Sequence, residues 1–193
     1  MPLILVPTAY EVEILDFGDA PLAICGFGLA AAGAGASHAI ATHQDDAADG
    51  VILVGAAGSF NPERAPIGEA MVASSVRCRG IGVGEGEKHH SAAELGWASS
   101  DVIDLPTGHD GQLLSVAAAS GSLEQAARRA ARHPEVVAED MEGFAVAVAA
   151  QLNRVTLTIV RGISNTAGDR DPERWRMAEA LTAAGRTVAG MLD

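Results

Sequence analysis

The residues of this chain that could do chemistry gather in four short motifs. Glu139-Asp140-Met141-Glu142 places three carboxylates in four positions. Such a group suits acid–base work or stabilisation of a developing cation. It also matches a solvated helix start, where the helix dipole favours acids. Arg161-Gly162-Ile163-Ser164-Asn165 directly follows the β-branched run Val155–Val160. It offers a guanidinium that can orient carboxylates, and a hydroxyl and an amide that can hydrogen-bond a ligand; its plain reading is a strand-to-helix loop rich in turn formers. Gly26-x-Gly28-x-x-Ala31 lies between a predicted strand and a predicted helix. It resembles a dinucleotide loop, with Asp45 or Asp46 as the later acid. However, it follows the second strand, and in a chain with 22 glycines it reads equally well as a tight turn. Its backbone N–H groups could instead face a phosphate, or a water in the equivalent place. Gly55-Ala56-Ala57-Gly58 ends the third apolar run as a second predicted turn. Two turns at the carboxyl ends of parallel strands point to one shared crevice.

The elements that must position these motifs are legible in outline. Leu3–Val6, Leu22–Cys25 and Val51–Val54 are continuous apolar runs and read as buried strands. A small-residue helix spans roughly Leu29 to Thr42, and Ile67–Ala73 reads as a strand after the turn at Asn61-Pro62. Arg79–Ser100 loses all periodicity and reads as a glycine-rich loop. Val102–Leu105 and Leu113–Ala119 are strand candidates. Ser122 and Gln125 form a capping-box pattern for a helix that Pro134 closes. Met141, Ala145, Val148 and Leu152 recur at helical spacing. Asp171-Pro172-Glu173 predicts the start of a helix running to the C-terminus. Strands alternate with helices, which predicts an α/β protein: a three-layer αβα sandwich around a mixed, largely parallel twisted sheet, in a single domain over 1–193.

Composition narrows the function classes. The 193 residues are 48% hydrophobic and 20% charged, a globular balance. The net charge of −12 and the single lysine, Lys88, argue against nucleic-acid binding. No apolar run reaches the roughly 18 residues a membrane span needs, and Met1–Pro7 lacks the basic start of a signal peptide. Cys25 and Cys78 are too few for a disulfide scaffold, so a reduced, cytoplasmic setting is expected. His89-His90 lies in the glycine- and glutamate-rich loop and reads as solvated, so no metal site is expected.

Taken together in chain order, the motifs resemble the nucleoside phosphorylase and nucleosidase superfamily. Cys25-Gly26-Phe27-Gly28 is similar to its first glycine turn, Gly55-Ala56-Ala57-Gly58 to its Gly-Ser/Thr-Ala-Gly turn, and Ile67-Gly68-Glu69 to a Val-Gly-Asp strand start. Asp140-Met141-Glu142 is similar to its Glu-Met-Glu segment, and Arg161–Asn165 to its Arg-x-Ile-Ser-Asp loop. The resemblance implies a catalytic glutamate in the loop after the first strand, matched here to Glu13 in Thr8-Ala9-Tyr10-Glu11-Val12-Glu13. Asn165 replaces an aspartate of adenine-specific members, and an amide suits a 6-oxopurine. Ser164-Asn165-Thr166-Ala167-Gly168-Asp169-Arg170-Asp171 resembles the corresponding loop of the futalosine hydrolases, as do Glu94-Leu95-Gly96 and Thr8-Ala9.

That resemblance implies hydrolysis of futalosine to hypoxanthine and dehypoxanthinyl futalosine, in a route to menaquinone, with no cofactor. Glu13, Glu142 and Asn165 are the expected catalytic residues: Glu13 as the base for water, Glu142 on the ribose hydroxyls, Asn165 on the purine. Gly26, Ala56, Ala57, Gly58, Ala119, Ser120, Asp140, Met141, Arg161 and Ser164 are the expected substrate-binding set. Arg161 would orient Glu13 or Glu142. Phe27, Phe60 and Trp97 could line the part of the pocket that takes the aromatic tail, and Arg77 and Arg79 could pair with its carboxylate, against a plain reading as core or exposed surface. The family also implies a homo-oligomer. The alternatives are a phosphorylase or other nucleosidase acting on inosine- or methylthioadenosine-like nucleosides, which in the phosphorylase case would need arginines in the glycine turns, and a nicotinamide-dinucleotide protein built on Gly26-Phe27-Gly28.

Overall fold

A computed structural model describes residues 1–84, 86–97 and 100–192. In chain order the elements are β1 (Leu3–Val6), α1 (Ala9–Val12), β2 (Leu22–Ile24), α2 (Gly28–Thr42), α3 (Gln44–Ala47), β3 (Val51–Ser59), β4 (Ala70–Val72) and β5 (Ser75–Cys78). They continue with β6 (Gly82–Val83), β7 (His90–Ser91), β8 (Val102–Asp104), β9 (Gln112–Ser115), α4 (Leu123–Arg132), β10 (Val136–Asp140), α5 (Gly143–Asn153), β11 (Leu157–Thr166) and α6 (Met177–Leu192).

One mixed sheet organises the chain. β1 pairs in parallel with β2 and β3, β3 with β11, and β9 with both β5 and β10; the antiparallel pairs are β3–β10, β4–β11 and β5–β8. β4 and β5 are separated only by Ala73 and Ser74, whose amides bond Ile159 O and Gly111 O. The ladder therefore runs from β3 through β11, β4–β5, β9 and β10 back to β3, and these strands lose their free edges by closure. Side-chain alternation splits the core between the two faces. Leu3, Leu5, Val51 and Leu53 point to the α2 and α5 side, and Ile4, Val6, Ile52 and Val54 to the α6 side. This is the predicted three-layer α/β arrangement.

Several elements depart from the sequence expectation in one direction. Gly55-Ala56-Ala57-Gly58 is not a turn but the second half of β3, and Arg161–Asn165 is not a loop but part of β11. β11 pairs with β3 from Leu157↔Val51 to Thr166↔Ser59, so the small residues are held extended by their partner rather than by local preference. Glu139 and Asp140 end strand β10, and α5 begins only at Gly143. Asp171 caps a single 3-10 turn, Pro172–Arg174; Trp175 then returns to extended backbone, and α6 starts at Met177. Of the predicted helical stripe, Val148 and Leu152 lie on the exposed face of α5, and the core takes Phe144, Val146, Ala147 and Ala150 instead. Among the described residues no helix is long and apolar enough to cross a membrane.

α6 lies unusually close to β11 because Gly162 has no side chain: a Cβ there would stand 2.2 Å from Ala180 O. Gly162→Ala is therefore expected to cost about 3 kcal/mol, the upper end of ordinary overpacking, because a backbone carbonyl cannot swing aside. Gly190→Ala, whose Cβ would meet nothing within 4 Å, is the control and should be neutral or stabilising. Urea unfolding of both variants checks this, and equal midpoints would refute it.

Candidate active site

The carboxyl ends of β1, β3, β10 and β11 converge on a cavity of about 240 Å³. Ala56, Ala57, Gly58, Ala119, Asp140, Met141, Glu142, Ser164 and Asn165 all line it, and so do Glu11, Glu139 and Arg170. Glu13, Gly26, Ser120 and Arg161 do not.

Glu13 is the clearest correction. It caps the C-terminal end of α1 and is exposed, whereas Glu11, two residues earlier, is 8% exposed and faces the cavity. Two residues along a helix amount to more than half a turn, so only one of the pair can point inward. Glu11 is fixed at both oxygens: Oε1 accepts from Ala56 N at 3.0 Å and Oε2 from Thr8 Oγ1 at 2.7 Å. Thr8 in turn caps α1 by accepting from Glu11 N. The signal for Glu11 is present in the sequence as the Thr-x-x-Glu spacing of a capping pair.

Arg161 has no exposed surface and sits behind the cavity wall. Nη2 pairs with Asp140 Oδ2 at 2.5 Å and Glu142 Oε2 at 3.3 Å. Burial works against its charge, but Asp140, Glu142 and Glu11 together hold its pKa above the ordinary arginine value. Gly55 makes this possible, because a Cβ there would lie 2.4 Å from Arg161 Nη1 and 2.8 Å from Glu11 Oε1. Asp140 is held further by Ser115 Oγ at 2.5 Å and the Gly143 amide at 2.8 Å. Gly143 must lack a side chain, since its Cβ would stand 2.7 Å from Asp140 Oδ2.

Gly26 takes φ +102° and Gly28 φ +79°, conformations that favour glycine. Their turn serves an anion of the protein itself: Gly28 N, at the start of α2, donates to Glu142 Oε1 at 3.0 Å. The donor that a dinucleotide phosphate would use is thus committed to an internal carboxylate. Glu139, expected in a solvated cluster, is instead buried; Ser120 N and Oγ and Arg129 Nη1 bind it at 2.7, 2.8 and 2.9 Å. Arg129 Nη2 also donates to Ala118 O, so this group fixes the segment that carries Ala119 into the cavity.

Between Ile163 and Asn165 the β11–β3 register shifts, leaving Ser164 as the extra residue. Such an irregularity re-aims the neighbouring side chains. Ser164 Oγ donates to Asn165 Oδ1 at 2.7 Å. Asn165 Nδ2 donates to Thr166 O at 2.8 Å and, more weakly, to Asp169 O at 3.4 Å. Of the tail candidates, Phe27 lines the cavity, while Phe60 packs with Leu114 and Val116, and Trp97 is exposed away from it. Arg77 pairs with Asp101 and Glu135, and with Arg79 it lines a separate cavity. Burial pushes the Cys25 thiol up to about 12 and Cys78 up to about 11, so neither is a thiolate nucleophile at neutral pH.

Burial, reinforced by Asp140 and Glu11, raises the Glu142 pKa against the pull of Arg161 and the Gly28 amide. A carboxyl raised in the folded state stabilises the fold below its unfolded value of roughly 4.3, and that stabilisation is lost as pH rises through the folded pKa. Glu142→Gln should therefore be more stable than the parent at pH 8 and indistinguishable from it at pH 4. Thermal melts at the two pH values test this; a variant less stable at pH 8 would show that the charge is net favourable.

A family model described as the phosphorylase superfamily matches residues 7–193. The futalosine hydrolase of Streptomyces coelicolor is 34% identical over 179 residues, which cover 82% of this chain and 75% of that protein. The futalosine hydrolase of Acidothermus cellulolyticus is 31% identical over 156 residues, 73% of this chain and 63% of that protein. The native structure of futalosine hydrolase of Helicobacter pylori strain 26695 superimposes with a TM-score of 0.76 at 16% identity, covering 99% of this chain and 96% of that one, a likeness of fold. With the family model spanning nearly the whole chain and the motif residues Asp140, Met141, Glu142, Arg161 and Ser164 gathered around one cavity, the chain belongs to the phosphorylase superfamily.

Proposed function

We propose that this protein is a futalosine hydrolase: an N-glycosyl hydrolase that cleaves futalosine with water, releasing hypoxanthine and dehypoxanthinyl futalosine, in the cytoplasm and on a route to menaquinone. The observation that carries the choice of water over phosphate is the fate of two backbone donors. Ala56 N–H and Gly28 N–H, which glycine segments of this kind could offer to a phosphate, are occupied by Glu11 and Glu142. A phosphate in that place would meet two carboxylates rather than two donors. The names of the two relatives supply the substrate.

Cleavage of the N-glycosidic bond develops cationic character on the ribose, so the site must favour positive charge there. Glu142 accepts from the ribose hydroxyls and faces that charge; Met141 packs against the sugar. Glu11 takes the proton of the attacking water, as the base of an inverting glycosidase does. Arg161 touches neither substrate nor water and acts as a positioning residue for Asp140 and Glu142. Asn165 binds the departing purine with the N–H now spent on the long bond to Asp169 O. An amide has no proton to give, so the C1′–N9 electron pair leaves with the base, which is protonated by solvent.

Two measurements test this reading. Hypoxanthine release from futalosine in phosphate-free buffer should fall by about 10²-fold or more in Glu11→Gln, the usual size for loss of a general base, and stay near the parent rate in Glu13→Gln. Release only in the presence of phosphate, or greater damage from Glu13→Gln, overturns it. Gly55→Ala should fold yet lose about 10²-fold in kcat, the size expected when a catalytic group is misplaced by about 1 Å. A parental kcat would refute the roles given to Arg161 and Glu11, both of which the added Cβ would displace.

The reading includes a homo-oligomer, supported by the apolar face where Leu29, Ala145, Val148 and Leu152 lie together, with Leu152 76% exposed. Light scattering behind size exclusion would give more than the 19.7 kDa monomer.

A further inference from the structure

Four carboxylates line the cavity (Glu11, Glu139, Asp140 and Glu142), and among the described residues one cation does, Arg170. Its setting differs from that of its neighbours. Arg174 pairs with Asp169 and Asp171, and Arg176 with Glu179, whereas Arg170 has no carboxylate partner among the described residues although Asp169 and Asp171 flank it. Arg170 instead lies over the Trp175 ring, 5.0 Å from its centroid, and Trp175 is itself pinned by a bond from Nε1 to Asp169 O at 3.1 Å. Contact with a ring face engages the cation without consuming its N–H donors, which stay open to a planar anion. Arg170 is exposed at the cavity mouth, on the same rim as Tyr10 and Phe27, which are 55% and 63% exposed.

This rim fits the far end of a substrate rather than its reacting centre. An anionic ligand entering a chain of net charge −12, over a floor of carboxylates, needs a local cation to be held at all. We infer that Arg170 is the specificity-determining residue for the 5′ substituent: it binds the carboxylate of an aryl-carboxylate tail, with Tyr10 and Phe27 against the ring. The inference rests on the futalosine reading and replaces Arg77 and Arg79 in that role, since both line a different cavity.

The test compares futalosine with its carboxyl methyl ester, using the parent, Arg170→Gln and Arg170→Lys, by steady-state kinetics and by calorimetric binding. The parent should prefer the acid to the ester about tenfold, the scale of one charge-assisted hydrogen bond at a partly exposed site. Arg170→Gln should raise KM for futalosine by about that factor, leave kcat within about twofold, and leave the ester unchanged; Arg170→Lys should recover part of the loss. Equal loss of kcat on acid and ester would overturn the inference and assign Arg170 to the departing base. No preference for the acid in the parent, or no change in Arg170→Gln, would overturn it too. Calorimetry separates this from the hydrolase reading: an acid preference abolished by Arg170→Gln in a protein that releases no hypoxanthine would leave the anchor standing and remove the hydrolase.

Discussion

A guanidinium with no access to water is tolerable only if the protein supplies its counter-charges, and the site is built around that demand. Arg161 reaches its place because β11 stays extended to Thr166, and it has room there because Gly55 on the adjoining β3 has no side chain. Its charge gathers carboxylates from separate parts of the chain: Asp140 from the end of β10, Glu142 from the approach to α5, and Glu11 from the short helix after β1. Each acid then has a second tether, in Ser115 and the Gly143 amide, the Gly28 amide, and the Ala56 amide with Thr8. Removing the arginine would leave buried acids facing one another; removing one acid leaves the others to hold it.

The layer order and the buried strands were legible because continuous apolar runs alternate with helical ones. The Asp140-Met141-Glu142 and Arg161–Asn165 motifs were legible because their residue types are chemically unusual in such short spans. What escaped was local conformation wherever small residues carry no preference of their own. Gly55–Gly58 reads as a turn in isolation, yet the ladder with β11 makes it strand. Glu11 and Glu13 are indistinguishable by residue type, and a helix of four residues has no periodicity to separate them; only the spacing from Thr8 does. Glu139 reads as solvated in sequence because its partner, Arg129, comes from another element, and such pairing leaves no mark in the local sequence. α6 starts later than Asp171-Pro172 predicts because that capping signal is genuine but serves only one turn.

The protein's own carboxylates also compete with any anion for the backbone donors of the site. Gly28 N–H and Ala56 N–H have internal acceptors already in place, at fixed distance and without cost in free ligand. A cleavage that uses phosphate conserves the bond energy in a sugar phosphate and can be run backwards to rebuild the nucleoside. One that uses water gives that energy up, and the high concentration of the solvent holds the products apart. On the proposed reading, two hydrogen bonds inside the fold therefore set the direction of traffic: the purine, once released, is returned to the cell's pool and not reattached by this protein.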